Sequence, residues 1–166
     1  MELILVVVIM GIVYMFAIGS LQKVKAVNEN LLPTLSNLKT FLLTKQFENK
    51  ARFVCFDGCS ACDVLLDGRP VRQIEGFFDS EPRIYRYSPS LGMEQIQSDP
   101  YFDTNGVQKD VCFSYRVYKD GTGDQIFVEY HGKVYNYGDY FEDVTTYDSI
   151  DEATRHKESV MHKALS

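Results

Sequence analysis

The sequence predicts an α+β protein in which a helical N-terminal part precedes an antiparallel β-sheet. Residues 3–22 contain no charged side chain. Apolar residues then recur at intervals of three and four as far as Leu42, which is the period of one helix face. From Arg52 onward the apolar period changes to two, which is typical of half-buried strands. The length of 166 residues suits one domain.

Charge is distributed unevenly along the chain. Residues 1–50 contain five Lys or Arg and three Asp or Glu. Residues 51–166 contain twelve Lys or Arg and twenty Asp or Glu. The second part is therefore acidic. Binding to a phosphate backbone depends on clustered basic residues, so we expect no direct nucleic-acid partner.

The apolar segment at the start of the chain has the composition of a membrane span. Residues 3–18 would form a helix of about 24 Å, and extension to residue 21 gives about 28 Å. The hydrocarbon core of a bilayer is roughly 30 Å thick, so this helix spans it marginally. A secretory signal peptide is an alternative, but its basic start is missing because Glu2 follows Met1. An ordinary membrane anchor with a single span is a second alternative.

Glu2 opens a run of Leu, Ile and Val, and Gly11 follows nine residues later. The stretch ELILVVVIMGIV resembles the N-terminal segment of type IV pilins and type II secretion pseudopilins. The family also has a basic leader, a glycine at the cleavage point and a phenylalanine before the glutamate, and these are absent here. The natural start of translation is therefore expected upstream of Met1.

The resemblance implies a pilin-like α+β fold, in which a long N-terminal helix packs on a small antiparallel sheet. Its membrane half would be residues 1–22 and its amphipathic half residues 23–50. The sheet domain would occupy residues 51–148, with a short helix or tail at 149–166. A membrane stalk followed by a separate core helix is the alternative.

The function implied by the resemblance is that of a non-enzymatic minor subunit of a secretion, competence or pilus-like filament. Glu2 and Gly11 would act in assembly, with Glu2 pairing with the N-terminal amine of a neighbouring subunit. The partners would be other pilin-like subunits, the inner-membrane machinery of secretion or pilus assembly, and the membrane itself. The chain would be a single-pass inner-membrane protein with an extracytoplasmic globular part and no cofactor.

The apolar stripe beyond residue 20 supports a long helix, although Pro33 should kink or divide it near Leu32. The helix should fade at residues 47–50. The stripe consists of Leu21, Val24, Val27, Leu31, Leu32, Leu35, Leu38, Phe41 and Leu42.

Short segments with β-branched and aromatic residues predict the strands of the sheet. They are residues 52–56, 63–66, 83–87, 111–118, 125–130 and 133–137. His131 and Gly132 predict a two-residue hairpin turn between the last two. Residues 88–109 lack a sustained period and predict a loop. Ser149 and Glu152 fit a capping box, so a helix to residue 165 or a frayed tail should follow.

Four cysteines form the most distinctive cluster. The pattern C-x3-C-x2-C of Cys55, Cys59 and Cys62 resembles a zinc knuckle that Cys112 or a histidine could complete. Cys59 and Cys62 alone have redox spacing. An even count outside the cytoplasm favours disulfides instead. Of the three possible pairings we prefer Cys59–Cys62 in the turn and Cys55–Cys112 between strands.

The remaining polar residues predict no catalytic centre. Asp120 and Asp124 could bind calcium, but a solvated turn is the simpler interpretation. No phosphate-binding glycine loop, nucleophile elbow or H-E-x-x-H pattern is present. The rival to a filament subunit is a membrane-anchored extracytoplasmic domain with a disulfide, thiol-redox or zinc site.

Overall fold

Alternating apolar residues fold this chain into antiparallel β-sheets. The computed structural model describes residues 32–103, 106–139 and 143–165. Within these ranges, in chain order, lie a short helix α1 (Leu38–Leu43), eleven strands and a longer helix α2 (Ile150–Leu165). The strands are β1 (Lys50–Phe56), β2 (Ala61–Leu66), β3 (Arg69–Glu75), β4 (Arg83–Ser88), β5 (Gly92–Ile96), β6 (Tyr101–Phe102), β7 (Gln108–Lys109), β8 (Val111–Tyr118), β9 (Phe127–Tyr130), β10 (Lys133–Asn136) and β11 (Thr145–Tyr147).

The first sheet has the strand order β3-β2-β1-β8, and the second has the order β11-β10-β9-β4-β5. All neighbouring strands in both sheets are antiparallel. The chain completes β1–β3 in the first sheet and β4–β5 in the second. It then returns to the first sheet through β8 and ends in the second with β9–β11. The two sheets share one hydrophobic core, to which both contribute their inner faces.

Side chains of β1 alternate between two buried faces. Phe53 and Cys55 point into the core between the sheets, whereas Val54 and Phe56 point to the outer face of the first sheet. A two-stranded ribbon of β6 and β7 supplies Tyr101, which packs against this outer face at 5.3 Å from the Phe56 ring. Burial on both sides explains why β1 reads as a nearly continuous apolar run.

Helix α2 covers the outer face of the second sheet. Ala153 is buried against Phe127 and Val134, and Ile150 packs beside them. The helix begins where the capping signal predicted, since the amide of Glu152 donates to the Ser149 hydroxyl at 3.2 Å. The Glu152 carboxylate accepts the Asp148 amide at 2.9 Å. Of the two alternatives for this segment, a helix to residue 165 or a frayed tail, the structure shows the helix, Ile150–Leu165.

The prediction of a pilin-like α+β fold is wrong. The described residues form mainly antiparallel β-sheets, and the described portion of the amphipathic segment, residues 32–50, contains only the six-residue α1. Asn37 explains the late start of α1, because its side chain accepts the Thr34 amide at 2.7 Å in a turn that precedes the helix. The helical period itself was correctly recognised, since Leu38 and Leu42 are fully buried in the core.

The predicted localisation also requires correction. Residues 1–22, with Glu2 and Gly11, lie outside the described residues. In the described ranges, no helix combines the length and the apolar character needed to cross a membrane. The described residues therefore give no support to the predicted single-pass inner-membrane location or its transmembrane helix. Their β-rich fold gives none to the pseudopilin assignment.

Candidate functional site

The four cysteines form two disulfides at one end of the first sheet. Cys55 bonds to Cys62, and Cys59 bonds to Cys112. Cys55, Cys59 and Cys62 are fully buried. The expectation of two disulfides is confirmed, whereas the preferred pairing of Cys59 with Cys62 and Cys55 with Cys112 is wrong.

Strand register explains the observed pairing. Cys55 and Cys62 are direct partners across the β1–β2 hairpin, with Cα atoms 3.9 Å apart. Cys112 lies at an irregularity of β8, where Cys55 pairs with Phe113 but Phe56 pairs with Val111. The extra residue is a β-bulge, which redirects its side chain toward the hairpin turn and Cys59.

The same geometry removes the other interpretations of the cysteines. All four sulfurs are bonded, so the structure leaves neither a zinc knuckle nor a free redox thiol. In the described part of the chain no group of three His, Cys, Asp or Glu side chains could hold a metal ion. Asp120 accepts hydrogen bonds from the Thr122 amide and hydroxyl, as a solvated turn requires.

A second cluster lies at the edge of the sandwich, between β8 and the segment that follows β5. We call it the arginine cleft. It is a cavity of about 60 Å³ lined by Arg52, Ile84, Arg86, Ile96, Gln97, Ser98, Asp99, Ser114, Arg116, Asp124 and Ile126. Three guanidinium groups and two carboxylates give this cavity a net positive charge of one unit, although the whole chain carries −6.

Arg52 and Arg116 are direct cross-strand partners of β1 and β8. Like charges in this position destabilise a sheet. Asp124 pairs directly with Arg116, since its carboxylate accepts from Arg116 Nε at 3.1 Å. That hydrogen bond and charge outweigh the effect of burial and raise the pKa of Arg116.

Arg52 remains without an ion pair among the described residues. Its Nε donates to the Ser114 hydroxyl at 2.7 Å, and its guanidinium carbon lies 5.8 Å from the centre of the Tyr101 ring. No described protein group accepts from its two terminal nitrogens. Burial first, and then the charge of Arg116, lower the pKa of Arg52, and the nearby charges of Asp124 and Asp99 offset this only in part.

A wider groove continues from the arginine cleft and shares Ile84, Ile96, Gln97 and Ser98 with it. Its volume is about 410 Å³, within the range of small-molecule sites. Its lining contains two carboxylates, Glu81 and Asp110, and no basic side chain. The combined surface is therefore dipolar, positive at the arginine cleft and negative at the far end of the groove.

A third polar cluster joins Asp79, in the segment between β3 and β4, to the β9–β10 hairpin. One oxygen of its carboxylate accepts from the Tyr130 hydroxyl at 2.7 Å and from His131 Nε2 at 2.8 Å. Ser80 donates to the same oxygen rather than to the imidazole, so this is not a nucleophile–base–orienter chain. His131 and Gly132 both have positive φ, which confirms the predicted hairpin turn.

Sequence reasoning missed the arginine cleft. A signal was present, because Arg52 and Arg116 occupy alternate positions in strands otherwise rich in aromatic and β-branched residues. Their proximity depends on the long-range pairing of β1 with β8, however, and the spacing of the sequence does not reveal that pairing.

Fold and clusters together define a disulfide-stabilised antiparallel β-sandwich with a charged edge groove. Comparison with protein-family models, with curated proteins and with solved structures gave no match to this chain.

Proposed function

We propose that this chain is a non-enzymatic, extracytoplasmic domain that binds an anionic ligand in the arginine cleft. The observation that carries the proposal is the half-buried guanidinium of Arg52, which has no ion pair among the described residues. A cation in a partly desolvated position is stabilised by an anion that enters the cavity. The terminal N–H groups of Arg52 supply the planar donors that match a carboxylate.

The charge of the cavity favours a singly charged ligand. Its net charge of one positive unit is balanced by one carboxylate, and a doubly charged phosphate would leave an excess near Asp99 and Asp124. The small volume of about 60 Å³ also suits a compact group.

The disulfides support the extracytoplasmic part of the proposal. Paired cysteines persist in oxidising compartments and are rare in reducing ones. The filament-subunit function expected from the N-terminal resemblance is not proposed. It required a long helix packed on the sheet, and residues 32–50 contain only α1.

The test measures the melting temperature of the full oxidised chain in sodium acetate and in sodium chloride of equal ionic strength. A ligand that binds only the folded state raises this temperature. Acetate should stabilise the parent protein and Arg72→Gln, a control at an exposed position of β3. It should not stabilise Arg52→Gln. Equal shifts in all three proteins, or no shift in the parent, would refute the proposal.

A further inference from the structure

The dipolar groove specifies more than an anion. We infer that its ligand is a short extended peptide that places its terminal carboxylate in the arginine cleft and its amine near Glu81 and Asp110. This inference rests on the proposed function and adds the class of the ligand and its orientation.

Charge complementarity supports this orientation. The arginine cleft carries a net positive charge, whereas the lining of the wider groove has Glu81 and Asp110 with no basic side chain. Neither of these two carboxylates forms an ion pair in the described part of the chain. A ligand with a carboxylate at one end and an ammonium group at the other satisfies both ends.

The edge of β8 supports a peptide rather than another zwitterion. The Arg116 amide donates to the Asp124 carboxylate, and the Asp124 amide donates to the Arg116 carbonyl. Both backbone groups of Arg116 therefore face away from β1. Along an antiparallel strand the backbone groups of successive residues point to opposite edges, so residues two positions apart point to the same edge. The N–H and C=O of Ser114 therefore also face away from β1. No described backbone or side-chain group bonds to them, so they offer one donor and one acceptor to a peptide backbone.

The dimensions fix the length of the ligand. Ser114 lies at the arginine cleft and Asp110 lies in the wider groove, four residues earlier along the chain. At a rise of about 3.4 Å per residue this separation is at most about 14 Å, and the bulge at Cys112 shortens it. Four extended residues span a similar distance. Ile84 and Ile96 lie in the lining of both cavities, and the lining around them is largely polar. Alanine side chains are small and uncharged, so the two termini remain the only charged groups of the ligand.

The experiment uses tetra-alanine with free termini, its C-terminal amide and its N-acetyl derivative, titrated calorimetrically into the full oxidised chain. Amidation should weaken binding about 10- to 100-fold, the range for a hydrogen-bonded charged group that is partly buried. Acetylation should weaken it about two- to fivefold, because the amine end is more exposed.

Protein variants then assign each terminus to its end of the groove. In Asp110→Asn the penalty for acetylation should shrink, because only Glu81 then remains near the amine, while amidation still weakens binding. In Arg52→Lys, which keeps the charge but loses the planar donors, the penalty for amidation should shrink. Glu158→Gln, on the exposed side of α2, should behave as the parent does. Folding of each variant is checked by its melting temperature.

The outcomes separate this inference from the function on which it rests. If acetate protects the parent but the parent does not bind tetra-alanine, or if Asp110→Asn leaves the acetylation penalty unchanged, the peptide assignment is wrong and the anion site remains. If acetate also fails to protect the parent, both are wrong.

Discussion

The backbone of Gly123 lies directly against the hydroxyl of Tyr115. A Cβ atom at position 123 would stand 2.5 Å from the Tyr115 oxygen and 3.0 Å from the carbonyl oxygen of Arg116. Gly123 also forms the bridge to Val117 that closes the free edge of β8 beside the arginine cleft. The Tyr115 side chain is fully buried, and its hydroxyl has no hydrogen-bond partner among the residues that the structure describes. Close backbone approach therefore requires glycine here.

Gly123→Ala should destabilise the fold by about 1–3 kcal/mol, the usual cost of inserting an atom into a packed region. The added methyl group meets a backbone carbonyl as well as a buried ring, so movement of one side chain cannot relieve the clash. Chemical denaturation of the oxidised chain measures the change in the free energy of unfolding. A variant as stable as the parent would show that the 122–124 segment moves freely away from β8.

Tyr115→Phe removes the oxygen that crowds Gly123. Because that hydroxyl is buried without a partner, its removal should leave stability unchanged or increase it. In the Tyr115→Phe background Gly123→Ala should cost less than in the parent, and a double-mutant cycle measures this coupling. Strict additivity of the two changes would contradict the contact.

The Asp79 cluster should make stability depend on acid pH. Hydrogen bonds from Tyr130, His131 and Ser80 lower the pKa of the Asp79 carboxyl from 3.8 to about 2. A lowered pKa in the folded state means that the stabilisation is fully present above the unfolded value. It is lost as the pH falls from about 3.8 through about 2. The melting temperature of Asp79→Asn should therefore fall less steeply in this window.

The matched control for this prediction is Asp57→Asn, which changes another exposed carboxylate in a turn. Ser60 donates to the backbone carbonyl of Asp57 and not to its carboxylate, so this variant removes a charge without removing hydrogen bonds to it. It is compared with the parent from about pH 5 to about 2. If Asp79→Asn and the parent lose stability in parallel over this range, the hydrogen bonds of the cluster do not stabilise the folded state.

Elements that depend on local periodicity were predictable from the sequence. The segment 111–118 has an aromatic or β-branched residue at every second position, and it forms β8 with the same bounds. Strand β5 was missed, because Gly92–Ile96 contains one β-branched residue and is stabilised mainly by its pairing with β4. The helix predicted over residues 32–50 was longer than the observed α1 (Leu38–Leu43). The apolar stripe through Leu35 and Leu42 fits one short core helix as well as a long amphipathic one.

Non-local features of the site were beyond the sequence. The β-bulge at Cys112 changes which cysteine reaches which strand, and no spacing rule reveals a bulge. The arginine cleft requires the pairing of β1 with β8, which are more than fifty residues apart. It also requires the segment after β5, with Ser98, to line the same cavity. Such contacts are determined by the assembly of the whole core and leave no periodic trace.

Ser149→Ala should weaken α2 at its start. The Ser149 hydroxyl accepts the amide of Glu152, one of the unpaired donors of the first turn. Loss of this cap should lower the free energy of unfolding by about 1 kcal/mol. Ser149→Asp retains an acceptor and should be close to the parent. Denaturant titration compares the two, and equal losses in both variants would show that the cap is not needed.

The two disulfides should differ in their contribution to stability, because they close loops of different length. Cys59 and Cys112 are separated by 53 positions, whereas Cys55 and Cys62 are separated by seven. Chain entropy of the unfolded state predicts a contribution of about 4 kcal/mol for the first bond and about 2 kcal/mol for the second. Paired replacement by alanine avoids a free thiol and a buried hydroxyl. Denaturant unfolding under oxidising conditions should therefore rank the Cys59/Cys112 double variant below the Cys55/Cys62 variant. Full reduction of the parent should lower the free energy of unfolding more than either replacement alone. If the Cys55/Cys62 variant is instead the less stable of the two, packing around the hairpin, rather than loop closure, determines the contribution of these bonds.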